Sequence, residues 1–122
     1  MRTGRVSDTI AAVWLAELVA RTTHLTLMLA DPFSVVDPLT VEPTGAFTRA
    51  TVSWTVGPRL IRNTSQLVWT GIPVGSLIVA IVGMTAAFNG TVTFSAPHPP
   101  TSFPNGGGLI IPANQFFTGV DA

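Results

Sequence analysis

Apolar and polar residues alternate along this chain with two different periods. Between Ser7 and Arg21 the period is helical. Ile10, Val13, Trp14 and Leu18 recur at spacings of three and four, which predicts one apolar helix face. Ser7 or Asp8 stands where an N-cap belongs. Asp8 suits the positive amino end of a helix and Arg21 the negative carboxyl end, so the predicted helix runs over about residues 8–21.

From His24 onward the period is two. In His24–Leu29 the three leucines fall on one side and His24, Thr26 and Met28 on the other. Asp31-Pro32 and Asp37-Pro38 then bracket a loop that ends near Glu42-Pro43, because proline pushes its predecessor out of helix and Asp-Pro starts turns. Phe47–Val56 reads as a second strand. Val52 and Trp54 would share one face, with Arg49, Thr51 and Ser53 on the other. Shorter strands are expected at Arg59–Ile61 and Gln66–Thr70, the latter carrying Trp69. Ser76–Val82 is continuously apolar, as for a strand covered on both faces. Asn89-Gly90 predicts a tight turn between Ala86–Phe88 and Thr91–Ser95. Pro97–Pro104 is too proline-rich for a sheet interior, which makes His98 a loop residue. Leu109–Ile111 and Gln115–Val120 supply the last strands. One N-terminal helix followed by short strands and frequent turns predicts a mainly β fold. We expect an antiparallel β-sandwich or barrel in one domain over residues 1–122.

Composition changes the picture mainly by what it removes. The hydrophobic share is 47% and the charged share 10%, against roughly 25% charged in an ordinary soluble domain. The formal net charge is zero, which leaves no electrostatic case for nucleic acid or an anionic membrane. From Asn63 to Val120 there is no Asp, Glu, Lys or Arg. The apolar stretch Leu67–Phe88 is long enough to raise the question of a bilayer span. Gly71, Pro73, Gly75, Gly83 and a β-branched run favour a buried strand, and no basic flank would anchor a span. No secretory signal is expected either. Arg2 and Arg5 precede an apolar stretch, but Glu17 and Arg21 interrupt it.

Candidate chemistry is sparse. There is no cysteine, and His24 and His98 have no carboxylate or second histidine at metal-ligand spacing. Asp31 and Asp37 read as turn formers before proline, with a calcium loop as the lesser alternative. Gly106-Gly107-Gly108 lacks the Lys-Ser/Thr and the helix of a phosphate loop, and no nucleophile-elbow serine occurs. Asn63-Thr64-Ser65 and Asn89-Gly90-Thr91 match the glycosylation pattern, which without an expected secretory signal is coincidence. No catalytic residue, metal site or cofactor is expected.

A set of segments carries a resemblance. They are His24–Pro32, ending in Ala-Asp-Pro; Phe47-Thr48-Arg49-Ala50-Thr51-Val52; the Asn-Gly turn into Thr91-Val92-Thr93-Phe94-Ser95; and Gly108–Phe117. Together they resemble the small β-sandwich virion proteins of long-tailed phages of actinobacteria, labelled head decoration, minor tail or tail fibre proteins. This chain has Phe47 where those proteins often have Tyr, and Gly83-Met84-Thr85 where they tend to have Trp-Asp or Phe-Asp.

The resemblance implies a non-enzymatic virion part, on the capsid surface or the tail. The leading expectation is a capsid decoration or cement protein bound to the major capsid protein. A minor tail, tail-tip or tail-fibre component comes second. More remote are a carbohydrate-binding module using Trp54 or Trp69, and a small membrane protein of lysis. Low charge and many apolar residues also imply a homo-oligomer. The residues expected to touch partners are Trp14 on the helix, the arginines Arg49, Arg59 and Arg62, and Pro97, His98 and Pro99 in the proline-rich segment.

Overall fold

The helix forms where the sequence places it. In the computed structural model, which describes residues 6–45 and 47–119, α1 spans Asp8–Arg21. The Ser7 hydroxyl accepts from the Ile10 amide at 3.2 Å, and the Thr22 amide closes the last turn on the Leu18 carbonyl at 2.9 Å. Arg2, Arg5, Ala46, Val120 and Asp121 fall outside the described residues.

The buried face of α1 is not the predicted one. Ala11 and Leu15 are fully buried, whereas Ile10, Val13 and Trp14 are 44%, 59% and 52% exposed. Leu18 is half-buried. Most of the helix surface is apolar, so hydrophobic spacing alone does not select the inward stripe. Ala11 and Leu15 lie one turn apart, and an alanine at the contact lets the helix backbone come close.

The described part of the chain is mainly β, with one α-helix and several antiparallel sheets, consistent with a β-sandwich. The nine strands are β1 His24–Met28, β2 Ala50–Thr51, β3 Trp54–Val56, β4 Leu60–Asn63, β5 Leu67–Ile72, β6 Ser76–Met84, β7 Val92–Phe103, β8 Gly107–Ile111 and β9 Phe117–Gly119. They form a four-stranded sheet β2-β1-β6-β7, a three-stranded sheet β3-β4-β9 and a two-stranded sheet β5-β8. Two 3-10 turns, Pro32–Ser34 and Pro38–Val41, cross the loop after β1. Asp31 and Asp37 cap them by accepting from the Phe33 and Leu39 amides at 3.0 and 3.1 Å.

β6 lies between β1 and β7, as its apolar run predicts. Its two halves differ. Leu77 is 48% exposed beside buried Ser76 and Ile78, while Ala80–Met84 are buried without interruption. The alternation changes phase between Ile78 and Ile81. Opposite this point β7 bulges: Ile78 pairs with Thr101 and Ala80 with Pro97, leaving His98, Pro99 and Pro100 opposite Val79.

That bulge corrects the expectation of a loop at Pro97–Pro104. Residues 97–103 belong to β7, and β7 is an edge strand. Prolines are tolerated there because their missing donors fall at the bulge and on the open edge. Two further expectations change. Phe47–Val56 divides between sheets, because β2 pairs with β1 and β3 pairs with β4. Ala86–Phe88 is a bend in the β6–β7 connection. The Thr85 amide reaches the Thr91 carbonyl at 3.1 Å, and Asn89 and Gly90 take φ of 56° and 77°.

Two cores result, one on each face of the four-stranded sheet. The larger gathers Leu25, Leu27, Val52, Leu67, Trp69, Ile72, Ile78, Ile81 and Phe116. The Trp69 indole donates to the Leu25 carbonyl at 2.9 Å, which satisfies its buried N–H. Trp54, Phe94 and Phe116 close one end with ring centroids 6.2–6.3 Å apart. The smaller core holds Met28, Ala80, Val82 and Met84 beneath Leu39, Val41 and Val92.

Candidate functional site

Titratable side chains are scattered or turned inward. Among the described residues, no three His, Cys, Asp or Glu side chains are grouped to hold a metal. His24, on β1, is half-buried, and its Nδ1 lies 2.8 Å from the Thr23 hydroxyl. Burial, with the nearby Arg49 guanidinium second, lowers its pKa from the ordinary value. His98 sits in the β7 bulge with Nδ1 at 3.5 Å from Thr101 Oγ1. Every buried side-chain nitrogen and oxygen among the described residues has a partner.

The densest polar arrangement is structural. Arg49 donates through Nε and Nη2 to the two carboxylate oxygens of Glu42, at 2.7 and 2.8 Å. Its Nη1 donates to the carbonyls of Ala86 and Asn89 at 2.8 and 2.7 Å. Glu42 also accepts from the Thr26 hydroxyl of β1. Such a two-pronged pair is the strongest geometry the guanidinium offers. It fastens the loop after β1, the approach to β2 and the β6–β7 connection to one another.

Arg49, expected on a partner-facing surface, is 8% exposed. The reason lies in the sheet face. Arg49 just precedes β2 and alternates with buried Ala50, but its side is roofed by the segment carrying Glu42. The only sequence signal for the pair is the scarcity of charge.

The other expected contact residues are placed as follows. Trp14 is half-exposed beside a groove of about 430 Å³, lined also by Leu18, Thr85, Thr91, Val92 and Thr93. Glu17 and Arg21 pair along its rim. Arg59 is half-buried, donating to the Val6 carbonyl at 2.8 Å and to the Asp8 carboxylate, so it holds the start of α1. Arg62 is exposed on β4, with its guanidinium carbon 5.3 Å from the centre of the Phe117 ring. Pro97 and Pro99 are exposed and His98 is half-buried on the β7 edge. These residues do not form one patch. Arg62 belongs to the three-stranded sheet, Pro97–Pro99 to the β7 edge and Trp14 to the helix groove.

Sequence reasoning missed part of the exposed apolar surface. Val68 and Ile110, paired across β5 and β8, are 40% and 59% exposed. Asn63, the first residue of a glycosylation pattern, is fully buried. Its side chain donates to the carbonyls of Ser65 and Pro112 and accepts from the Phe116 amide.

Trp69 is fully buried, and Trp54 is partly buried with its ring in contact with those of Phe94 and Phe116. No helix among the described residues is long and apolar enough to cross a membrane. No protein family, curated protein or solved structure matches the chain.

Proposed function

We propose that this chain is a non-enzymatic structural protein of a phage virion: a decoration or cement protein, self-associating, that binds the major capsid shell through apolar surface. The virion assignment rests on the sequence resemblance. The observation that supports an adhesive role is the outward strip Ile10, Val13 and Trp14 on α1, beside the groove it borders. Ordinary domains turn such a helical stripe inward. Here the helix is anchored by Ala11, Leu15 and Arg59, which leaves the larger residues for a neighbour.

Cohesion of this kind is apolar. Apolar contacts resist salt, while urea and guanidinium weaken them. The test is to wash purified particles that contain the protein. It should stay on capsids in molar sodium chloride and leave in guanidinium below the point where the shell dissolves. Val13→Ser/Trp14→Ser, at exposed positions, should fold and fail to attach. Recovery on tails would replace the capsid reading with a tail component. Absence from particles would overturn the virion assignment.

A further inference from the structure

The sheets of this protein have several edges, and among the described residues all but one are protected. β7 carries Pro97, Pro99 and Pro100 and a bulge in its ladder with β6. β2, β3 and β9 are two or three residues long. β5 is touched on its far side by the Thr48–Thr70 bridge. Proline, bulges and shortness are the usual means of keeping an edge from pairing with another chain.

β8 has none of them. It is five residues, Gly107-Gly108-Leu109-Ile110-Ile111, with no charge and no proline. It pairs with β5 alone, and the shift in that ladder falls on β5, where Trp69 and Ile72 oppose Leu109 and Gly107. Among the described residues, no other strand hydrogen-bonds its second side. A row of backbone donors and acceptors is therefore left open beside an apolar face that includes Ile110 and Val68.

We infer that β8 pairs antiparallel with β8 of a second copy, about a twofold axis at Leu109. The sequence of the strand is self-complementary in size about that point. Gly108 meets Ile110 of the other copy and Gly107 meets Ile111, so both isoleucines stand opposite a residue with no side chain, and Leu109 meets its own copy on the axis. A side chain at Gly107 would have nothing within 4 Å in this chain, so the space there is open to a neighbour. A twofold pairing satisfies both copies with one surface, as closed dimers require. The result is a continuous sheet β5-β8-β8-β5 in which the exposed Ile110 side chains of both copies share one face. Pairing by edge extension draws its affinity from main-chain hydrogen bonds and its register from alternate side chains. The inference rests on the self-association proposed above and names its surface.

The test uses the full chain in solution. Sedimentation equilibrium should give a dimer. Ile110→Lys, at an exposed position, should give a monomer with an unchanged circular dichroism spectrum, because an edge lysine is a natural block to strand pairing. Leu109→Cys places one thiol per chain in a protein otherwise without cysteine. Directly opposed residues in an antiparallel pair have Cα atoms about 4.5–5.5 Å apart, within disulfide range. Mild oxidation of the Leu109→Cys variant should therefore link two copies. A dimer that persists in Ile110→Lys, with no oxidative link in Leu109→Cys, overturns the β8 pairing and leaves self-association standing. A monomeric wild type overturns both. If Ile110→Lys abolished particle binding by a monomeric protein, β8 would take its strand from the shell and not from a second copy.

Discussion

The two faces of the four-stranded sheet are covered in different ways. On one face, strands from the other two sheets bury Trp69 and its aliphatic neighbours, with the Trp54–Phe94–Phe116 cluster at the end. On the other, Met28, Ala80, Val82 and Met84 lie under a segment with only two 3-10 turns, fastened by Arg49 and Glu42. The first face is held by apolar area spread over many residues. The second has less apolar area and relies on one ion pair with directional bonds. A sheet can therefore be covered on both sides although the chain supplies strands for only one.

The comparison breaks first at Trp69. Trp69→Ala removes the largest buried side chain and leaves the Leu25 carbonyl without its donor, which should cost about 3–5 kcal/mol. Urea unfolding should show it as a lower midpoint. Arg49→Met should cost about 3 kcal/mol, because Glu42 is left as a mostly buried charge without its cation. The informative variant is the double one, Arg49→Met/Glu42→Leu. With both charges gone it should be more stable than Arg49→Met alone. If it is no better, the two carbonyl bonds to Ala86 and Asn89 hold that face and the ion pair does not.

Gly83→Ala tests the seam where β6 meets β7. A Cβ there would stand 2.4 Å from the Phe94 ring, so overpacking should cost about 1–3 kcal/mol, again read from denaturant unfolding. The smallest effect is at His24. Its native pKa lies below the ordinary value of 6.5, first through burial and then through Arg49. The unfolded chain therefore takes up this proton at higher pH than the native protein does. Stability from this group is complete above about pH 6.5, falls as pH drops below it, and levels off once native His24 is protonated. Thermal melts of His24→Gln across that window should be flatter than those of the wild type.

The helix ends and the alternation of β1 were legible because they depend on neighbours in sequence: a hydroxyl three residues before an amide, leucines two apart. The central place of β6 was legible from its lack of polar residues. What escaped depends on contacts across the fold. The inward side of α1 is set by where β4 and Arg59 hold it, and Ile10, Val13 and Trp14 carry no mark of being left outside. The division of Phe47–Val56 follows from two different partners for β2 and β3. Arg49 reads as a surface residue until Glu42 and the loop carbonyls are folded over it. Of the expected contact residues, Trp14, Arg62, Pro97 and Pro99 are exposed, but nothing in their spacing told that they stand on separate surfaces.

The pairing of β4 with β9 has a consequence in time. Arg62 waits for Phe117, 55 positions later in the chain. At about 5–20 residues per second of synthesis, β4 stands without that neighbour for roughly 3–11 seconds. The β3–β4 and β6–β7 hairpins can close locally in that interval, whereas the ladder that brings Phe117 over Arg62 cannot begin. Newly made chains therefore pass through a stage in which β4 is paired on one side only, and crowded synthesis at high temperature is where that open edge would favour aggregation.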